Sequence, residues 1–248
     1  QKARFLPKCT TGETITAIGM TEPGAGSDLA GISTTAVLKG DHYVVNGQKT
    51  FITNGIQADL ILIAVKTDPK AVPKHKGISL LLVERGTEGF TRGRKLSKVG
   101  LHSQDTAELI FEDAVIPKEN LLGEEGKGFI YMMEKLQQER LIVAIGAQVA
   151  AEDMLEMTID YVKSREAFGK PVSKLQSVQF KIAEMATEVQ MGRVFLDSLI
   201  AEHMNGENVV KFEFVPTGST ESYFTNEITV TVYKIDATRV AKHLSGDV

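Results

Sequence analysis

Cysteine is almost absent from this 248-residue chain, which contains only Cys9. A single cysteine cannot form an intrachain disulfide, and it excludes both a thiolate zinc cluster and a CxxC redox pair. The five histidines are scattered without HxxxH or HxH spacing, so we predict no metal site. This cysteine usage favours a reducing compartment inside the cell.

Excess positive charge and long apolar runs are also lacking. The chain has 28 Lys and Arg against 32 Asp and Glu, a net charge of −4, so it has no basic footprint for nucleic acid. Its apolar runs, such as residues 60–65 and 80–83, are far shorter than the ~20 residues that span a bilayer. We therefore expect neither a nucleic-acid partner nor a membrane span.

Short apolar or alternating segments occupy residues 14–117, separated by Gly, Asn, Asp and Pro. Such segments are typical of β-strands, and Lys39-Gly40-Asp41 and Asn46-Gly47 are turn sequences suited to hairpins. We predict six strands, at residues 15–20, 36–38, 43–45, 60–65, 78–83 and 108–111. The predicted first domain, residues 1–125, is an antiparallel β-barrel or sandwich.

Between Phe129 and Ala201, apolar residues instead recur every three or four positions, as on one face of a helix. Residues 165–173, with Gly169 and Pro171, interrupt this pattern. We therefore predict at least two long helices in a bundle over residues 126–210. Alternation returns in residues 211–248, a strand-like tail predicted to form a hairpin. The expected fold class is α+β.

The segment TEPGAGSD, residues 21–28, directly follows the first predicted strand. A turn rich in Gly and Pro leaves backbone N–H groups unpaired, and these can bind phosphate or the polar edge of a heteroaromatic ring. The alternative is a plain connection between two elements. The segment is not the dinucleotide-binding fingerprint, because Leu29 stands where the third glycine is required and no helix pattern follows.

A second segment, GQKTFITNG at residues 47–55, places an aromatic residue beside a hydroxyl. Phe51 and Thr53 are two residues apart, so they share one face of a strand. Together they could flank a cofactor ring. The alternative is an ordinary hairpin whose phenylalanine belongs to the core.

Further motifs follow these two in register: KLSKVGLHSQDTAELIFEDAVIPKENLLGEEGKGF, LQQERLIVA and SREAFGKPVSKLQSVQ. In this order and spacing, the motifs resemble the acyl-CoA dehydrogenase family of flavoproteins over residues 13–210. The resemblance implies a β-barrel domain that holds the flavin ring of FAD against a helical bundle. Two features depart from the family: its N-terminal helical domain has no counterpart here, and residues 211–248 do not match its later helices.

The resemblance also implies roles for individual residues of the first domain. Thr21 matches a hydroxyl that meets the flavin pyrimidine edge, with Met20 beside it, and Ser27 matches a residue on the CoA side. Phe51 stands where the family commonly has a tryptophan beside the flavin. Thr53 stands where a hydroxyl faces flavin N5.

At the link between the helices, Arg165 matches an arginine that reaches the FAD pyrophosphate of a neighbouring subunit. Phe168 and Gln176 lie beside it in the motif, and Ala167 replaces a frequent threonine, which removes one hydrogen bond. Because such a site needs two subunits, the resemblance implies a homodimer or a homotetramer.

Oxidation of an acyl thioester between its α and β carbons needs a base for the α proton. On a helix, Glu139 falls on the apolar face, since it lies three residues after Leu136 and three before Ile142. The alternative is a Glu139 that turns to solvent and pairs with Lys135. The resemblance favours the base, because family members of the long-chain and isovaleryl types carry it in a matching Glu-Arg pair. Arg140 would steady the carboxylate, and Leu136 is expected beside the substrate.

The resemblance thus predicts FAD-dependent oxidation of an acyl-CoA to the 2,3-enoyl-CoA, with an electron-transferring flavoprotein as the acceptor. A flavin oxidase of the same fold, which passes electrons to oxygen, is one alternative. A non-catalytic flavin- or CoA-binding module is the other, because parts of the family's architecture are not matched.

Overall fold

The computed structural model describes residues 1–207, in which a short helix and a seven-stranded sheet precede two long helices. The expected α+β class is confirmed, and the predicted tail at residues 211–248 lies outside the described residues. None of the helices described is both long and apolar enough to cross a membrane. The elements are α1 Lys2–Thr11, β1 Thr16–Gly19, β2 Thr35–Lys39, β3 His42–Thr53, β4 Leu60–Lys66, β5 Ile78–Glu84, β6 Phe90–Lys95, β7 Thr106–Pro117, α2 Gly128–Ser164, β8 Glu166–Ala167, β9 Lys170–Pro171 and α3 Gln176–Met204.

The sheet is mixed: four strand pairs are antiparallel, as expected for the predicted barrel or sandwich, and two pairs are parallel. The strands follow the order β1-β4-β2-β3-β7-β6, and β5 pairs with β4. Strand β1 runs parallel to β4, with Thr16 opposite Leu60 and Gly19 opposite Ile63, and β2 meets β4 in parallel through Thr35 and Lys66. The cause is the long connection between β1 and β4, which contains the β2–β3 hairpin and lets the chain re-enter the sheet in the direction of β1.

The turn expected at Lys39-Gly40-Asp41 is confirmed, and Gly40 has the positive φ of 64° that the β2–β3 hairpin requires. The turn expected at Asn46-Gly47 is wrong, because β3 continues through it to Thr53. Gly47 is instead a bulge with φ 149°, where the register with β7 shifts. A Cβ at this position would lie 2.7 Å from Thr34 Cα, so only glycine allows these two segments of the backbone to approach so closely.

Two apolar clusters form the core, one on each face of the sheet. Larger side chains of β3, β4, β5 and β7 fill the first cluster, in which Phe90 of β6 stacks on Phe111 with ring centroids 5.0 Å apart. The second cluster contains Ala25, Ile32 and Met132, so the start of α2 covers this face. The sequence predicts neither β6 nor α1, because each has one buried apolar residue or none to set a periodicity.

The chain divides into two compact units, residues 1–140 and residues 141 onward, and α2 begins in the first of them. The domain boundary expected after residue 125 stays a prediction. In the second unit, α2 and α3 are long helices joined by an irregular link with the small β8–β9 hairpin, as the interrupted periodicity predicts. Gln148 Nε2 of α2 donates to Val189 O of α3 at 2.8 Å, and Arg193 pairs with Glu152.

Candidate functional site

An open cleft of about 580 Å³ lies in the first unit, between the ends of β1 and β3 and the helix α2. It brings together five residues that the sequence singles out, namely Met20, Thr21, Phe51, Thr53 and Glu139. The remaining lining is mostly aliphatic and comes from β1, the end of β3, β4 and β5. These residues are Thr16, Ala17, Ile18, Ile52, Asn54, Leu60, Leu62 and Leu82. The cleft is therefore apolar, with a few hydroxyls and one carboxylate.

Phe51 reaches the cleft through an unusual backbone conformation. Its φ is 58°, in the left-handed region that a bulky residue rarely adopts, and the β3–β7 register shifts between Lys49 and Ile52. The bulge turns Phe51 outward, where it is 67% exposed, while Ile52 is buried. The alternative of a core phenylalanine is wrong, and strain of this kind is concentrated at functional sites.

The loop after β1 that carries Thr21 is fixed in its first half by hydrogen bonds. Thr50 N donates to Thr21 O at 2.9 Å, and Glu22 and Ala25 exchange two backbone hydrogen bonds. Ala25 is buried in the second core cluster, so the middle of the loop is packed. Ser27 lies at the exposed end of the same loop and does not line the cleft.

Glu22, inside this loop, forms a buried ion pair with Lys49. Lys49 Nζ donates to Glu22 Oε1 at 2.8 Å and to Met20 O at 3.2 Å. The carboxylate also accepts from the Ser33 N–H and hydroxyl and from Thr34 N. Burial alone would raise the pKa of Glu22, but the charge of Lys49 and these hydrogen bonds outweigh it and lower the pKa to about 2. Burial lowers the pKa of Lys49, against the opposing attraction of Glu22.

No pattern in the sequence identifies Glu22 and Lys49 as an ion pair. A lysine within a strand is expected to point to solvent, and burial depends on a partner 27 residues away in the chain. The available signal was their position: each lies inside one of the two loop motifs, TEPGAGSD and GQKTFITNG.

Glu139 lies in the cleft lining but is exposed, so its expected burial on an apolar helix face is wrong. Met132, seven residues earlier, is packed in the core, whereas Ile142 and Val143, three and four residues later, are exposed like Glu139, so burial on α2 does not follow the spacing on which the prediction rested. Within residues 1–207, Glu139 forms no ion pair with Lys135. Leu136 and Arg140, its neighbours on α2, are half-buried and do not line the cleft.

The other predicted residues lie in the second unit, and all three are exposed. Arg165 and Phe168 belong to the link between the helices, and Gln176 is the first residue of α3. Phe168 has a positive φ of 55° and is 92% exposed. The role expected for them at a neighbouring subunit's cofactor stays a prediction.

The residues of the cleft suit a flat ring with one polar edge. Aliphatic side chains and Phe51 offer faces for an aromatic ring, and the hydroxyls of Thr21 and Thr53 make no hydrogen bond to any residue among positions 1–207. They are therefore available to a ligand, as in sites where a few polar groups orient an apolar cofactor. No cluster of metal-ligating side chains is present in the part of the chain that the structure describes.

The structure thus combines a mixed sheet and two long helices with a cleft in which hydroxyls lie beside one carboxylate. Two protein-family models match the chain. "Acyl-CoA dehydrogenase, middle domain" matches residues 17–114, and "Acyl-CoA dehydrogenase, C-terminal domain" matches residues 126–242. The chain belongs to the acyl-CoA dehydrogenase family, as the motifs predict. The second match extends into the segment after residue 210 that the sequence motifs leave outside the resemblance.

Curated relatives agree with this assignment. The long-chain specific acyl-CoA dehydrogenase, mitochondrial, of Sus scrofa is 51% identical over 203 residues, which cover 82% of this chain and 47% of the relative. The isovaleryl-CoA dehydrogenase, mitochondrial, of Pongo abelii is 43% identical over 196 residues, covering 79% of this chain and 46% of the relative. The chain thus spans about half the length of these relatives.

Solved structures share the fold. An acyl-CoA dehydrogenase from Geobacillus kaustophilus is 71% identical with a TM-score of 0.82, over 84% of this chain and 55% of that one. PigA with FAD and proline is 32% identical with a TM-score of 0.80, covering 84% and 54%. The prolyl acyl carrier protein oxidase AnaB is 32% identical with a TM-score of 0.78, covering 83% and 54%.

Proposed function

We propose that the protein oxidises an acyl-CoA thioester to the 2,3-enoyl-CoA with FAD as its cofactor. The observation that carries this proposal is the shared cleft, in which the Glu139 carboxylate lies with Thr21, Phe51 and Thr53. Membership of the acyl-CoA dehydrogenase family supports both the reaction class and the cofactor. PigA, a structural relative that contains FAD, adds support for the cofactor.

The residues around the proposed ring have distinct tasks. When bound, FAD supplies the acceptor for the hydride that leaves the β carbon. The Thr21 hydroxyl, with Met20 beside it, orients the polar edge of the ring, and the Thr53 hydroxyl meets its central edge. Phe51 covers one face of the ring, and the aliphatic side chains of β4 and β5 exclude water from the other side of the cleft.

Glu139 takes the α proton in this proposal. Its exposure within the cleft leaves its oxygens accessible to a substrate that binds there, and a base must come within hydrogen-bonding distance of the proton it removes. Arg140, the next residue, is half-buried and would steady the carboxylate. Leu136 is proposed beside the acyl chain, and Ser27 on the CoA side.

The same proposal includes an electron-transferring flavoprotein as the acceptor and a homodimer or homotetramer as the assembly. In that assembly Arg165 would reach the FAD pyrophosphate of the neighbouring subunit, with Phe168 and Gln176 beside it. The proposed compartment is a bacterial cytoplasm or a mitochondrial matrix, and the relatives from Sus scrofa and Pongo abelii are mitochondrial enzymes.

Flavin bleaching by acyl-CoA substrates tests the proposal. The protein is loaded with FAD, made anaerobic and mixed with a panel of acyl-CoAs while the visible flavin bands are recorded. Glu139→Gln keeps the size of the side chain but cannot accept a proton, so bleaching should slow by about 10²-fold or more while FAD remains bound. Glu134→Gln, an exposed position on the same helix outside the cleft lining, is the matched control and should bleach at the wild-type rate.

An oxidase is the second candidate, because the structural relative AnaB is an acyl carrier protein oxidase. The two activities differ in what reoxidises the reduced flavin. Admitting air to the bleached protein separates them: an oxidase regains its colour within a turnover and forms hydrogen peroxide, whereas a dehydrogenase stays reduced far longer. A protein that binds FAD and does not bleach with any acyl-CoA would instead support a non-catalytic binding module.

A further inference from the structure

The Lys49–Glu22 ion pair is not used by the proposed reaction, although its burial is nearly complete. The Lys49 side chain has no exposed surface, and that of Glu22 is 2% exposed. Replacing a buried ion pair by apolar residues is often neutral or even stabilising, so the pair is not explained by stability alone. Its hydrogen bonds indicate a more specific role.

Both acceptors of the Lys49 ammonium belong to one short segment, the loop that carries Thr21. One acceptor is the main-chain oxygen of Met20, the residue before Thr21, and the other is the carboxylate of Glu22, the residue after it. The residue after Lys49 is also involved, because Thr50 N donates to Thr21 O. Lys49 thus binds the residues on either side of Thr21, and Thr50 binds the carbonyl oxygen of Thr21 itself. Two consecutive residues of β3 therefore fix the backbone at Thr21.

We propose that Lys49 is a positioning residue, which sets the place of the Thr21 hydroxyl relative to Phe51 and Thr53 on its own strand. The inference rests on the proposed function, in which these three side chains orient FAD. The Lys49 side chain fixes the distance between β3 and the loop after β1, which are the two sides of the polar part of the cleft. The Glu22 carboxylate also accepts hydrogen bonds from Ser33 and Thr34. The loop therefore cannot shift without breaking a buried charge-assisted contact.

The first experiment needs no cofactor. In Lys49→Met, amide hydrogen exchange is measured on the FAD-free protein, residue by residue. The Thr50 N–H, whose acceptor is Thr21 O, and the Glu22 N–H should exchange at least about tenfold faster than in the wild type. The amides that pair β4 with β5 should keep their rates. Unchanged exchange at Thr50 and Glu22 would overturn the proposal whether or not the protein binds FAD.

The second experiment is a double-mutant cycle on FAD affinity. Lys49→Met should raise the FAD dissociation constant about tenfold or more. If Lys49 acts through Thr21, the same substitution in a Thr21→Ala background should change the constant less than about threefold. If the two residues acted independently, Lys49→Met would weaken FAD binding by the same factor in both backgrounds, so the binding free energies would add. That result would contradict the proposal. Arg193→Met, which breaks the partly buried Glu152 pair in the second unit, is the control and should change neither readout.

Folding failure is covered by a second variant. Lys49→Met leaves the Glu22 carboxylate buried without its cation, which can prevent folding, so Glu22→Gln/Lys49→Met removes both charges and undergoes the same two experiments. If this variant also fails to fold, the pair holds the whole sheet and the positioning role is wrong. If the wild type binds no FAD, the proposed function fails, and the exchange experiment still decides whether Lys49 orders the loop.

Discussion

Phe51 and Ile52 are neighbours in the chain and both line the cleft, but Phe51 is 67% exposed there at φ 58° whereas Ile52 is only 2% exposed and packs in the core. The bulge that separates them costs backbone free energy, since a left-handed conformation is unfavourable by roughly 1–2 kcal/mol for an L-residue with a side chain. Because this conformation is unfavourable for folding, its presence indicates that the exposed ring of Phe51 has a functional role.

Phe51→Asn should therefore separate stability from cofactor binding. Asparagine tolerates the left-handed region, so the free energy of unfolding of the FAD-free protein should rise by up to about 1 kcal/mol in a urea titration. FAD affinity should fall several-fold with the loss of the ring face. Leu101→Asn is the matched control, because Leu101 is exposed with φ 51° outside the cleft, and it should gain stability without changing FAD affinity. Wild-type FAD affinity in Phe51→Asn would exclude Phe51 from the cofactor site.

Gly47→Ala should destabilise the protein more than Gly40→Ala. Both glycines have positive φ, but the alanine Cβ at position 47 would collide with Thr34, whereas the one at position 40 would meet open space. We expect a loss of about 1 kcal/mol for Gly40→Ala from the backbone alone and about 2–4 kcal/mol for Gly47→Ala. Urea midpoints of the two variants provide the comparison, and equal losses would show that the contact with Thr34 relaxes.

The stability of the protein should fall in acid in part through Glu22. Its pKa is about 2 in the folded protein against an ordinary value of 4.5, so between these values the unfolded chain binds more protons than the folded one. The stabilisation is therefore complete above about pH 5 and is lost as the pH falls toward 2. In urea titrations at several pH values, Glu22→Gln should be less stable than the wild type at neutral pH and should show a weaker dependence below pH 5. Glu134→Gln serves as the control and should follow the wild-type curve.

Arg165→Ala should weaken FAD retention by about tenfold or more if the guanidinium binds a phosphate of the cofactor, since such a contact contributes ~1.5–3 kcal/mol. The fold should survive, because the backbone hydrogen bonds of Arg165 with Tyr161 and Val172 do not involve its exposed side chain. Lys170→Ala, in the adjacent β9, is the charge control. Size-exclusion chromatography with light scattering gives the oligomeric state, and unchanged FAD affinity in a proven oligomer would remove the proposed contact.

Local sequence patterns were sufficient for most strands and for the two long helices. Nearly continuous apolar runs located β4 and β5 to within a residue, because both faces of these strands are buried. The parallel pairing of β1 with β4 was not predictable in this way, since it joins segments more than forty residues apart and leaves no mark on either segment alone.

Within the cleft, the motifs identified Thr21, Phe51, Thr53 and Glu139, but the environment of two of them was misjudged or left open. Helical spacing placed Glu139 on a buried face, and this was wrong because spacing specifies which residues share a face, not whether another element covers it. The burial of Lys49 was missed because it depends on an ion pair with Glu22, which lies in a loop. Loop residues show no periodic pattern from which such a contact could be predicted.

The parallel pairing of β1 with β4 also sets an order of events during synthesis and folding. Thr16 to Gly19 can join the sheet only after Leu60 to Ile63 have left the ribosome, and closing so long a loop is slow compared with forming the local β2–β3 hairpin. The residue that follows β1, Met20, and its neighbour Thr21 therefore reach their final positions only after β4 has been synthesised. A nascent chain that has not reached Glu139 lacks part of the cleft lining, so cofactor supplied during translation can assist only the closing steps of folding.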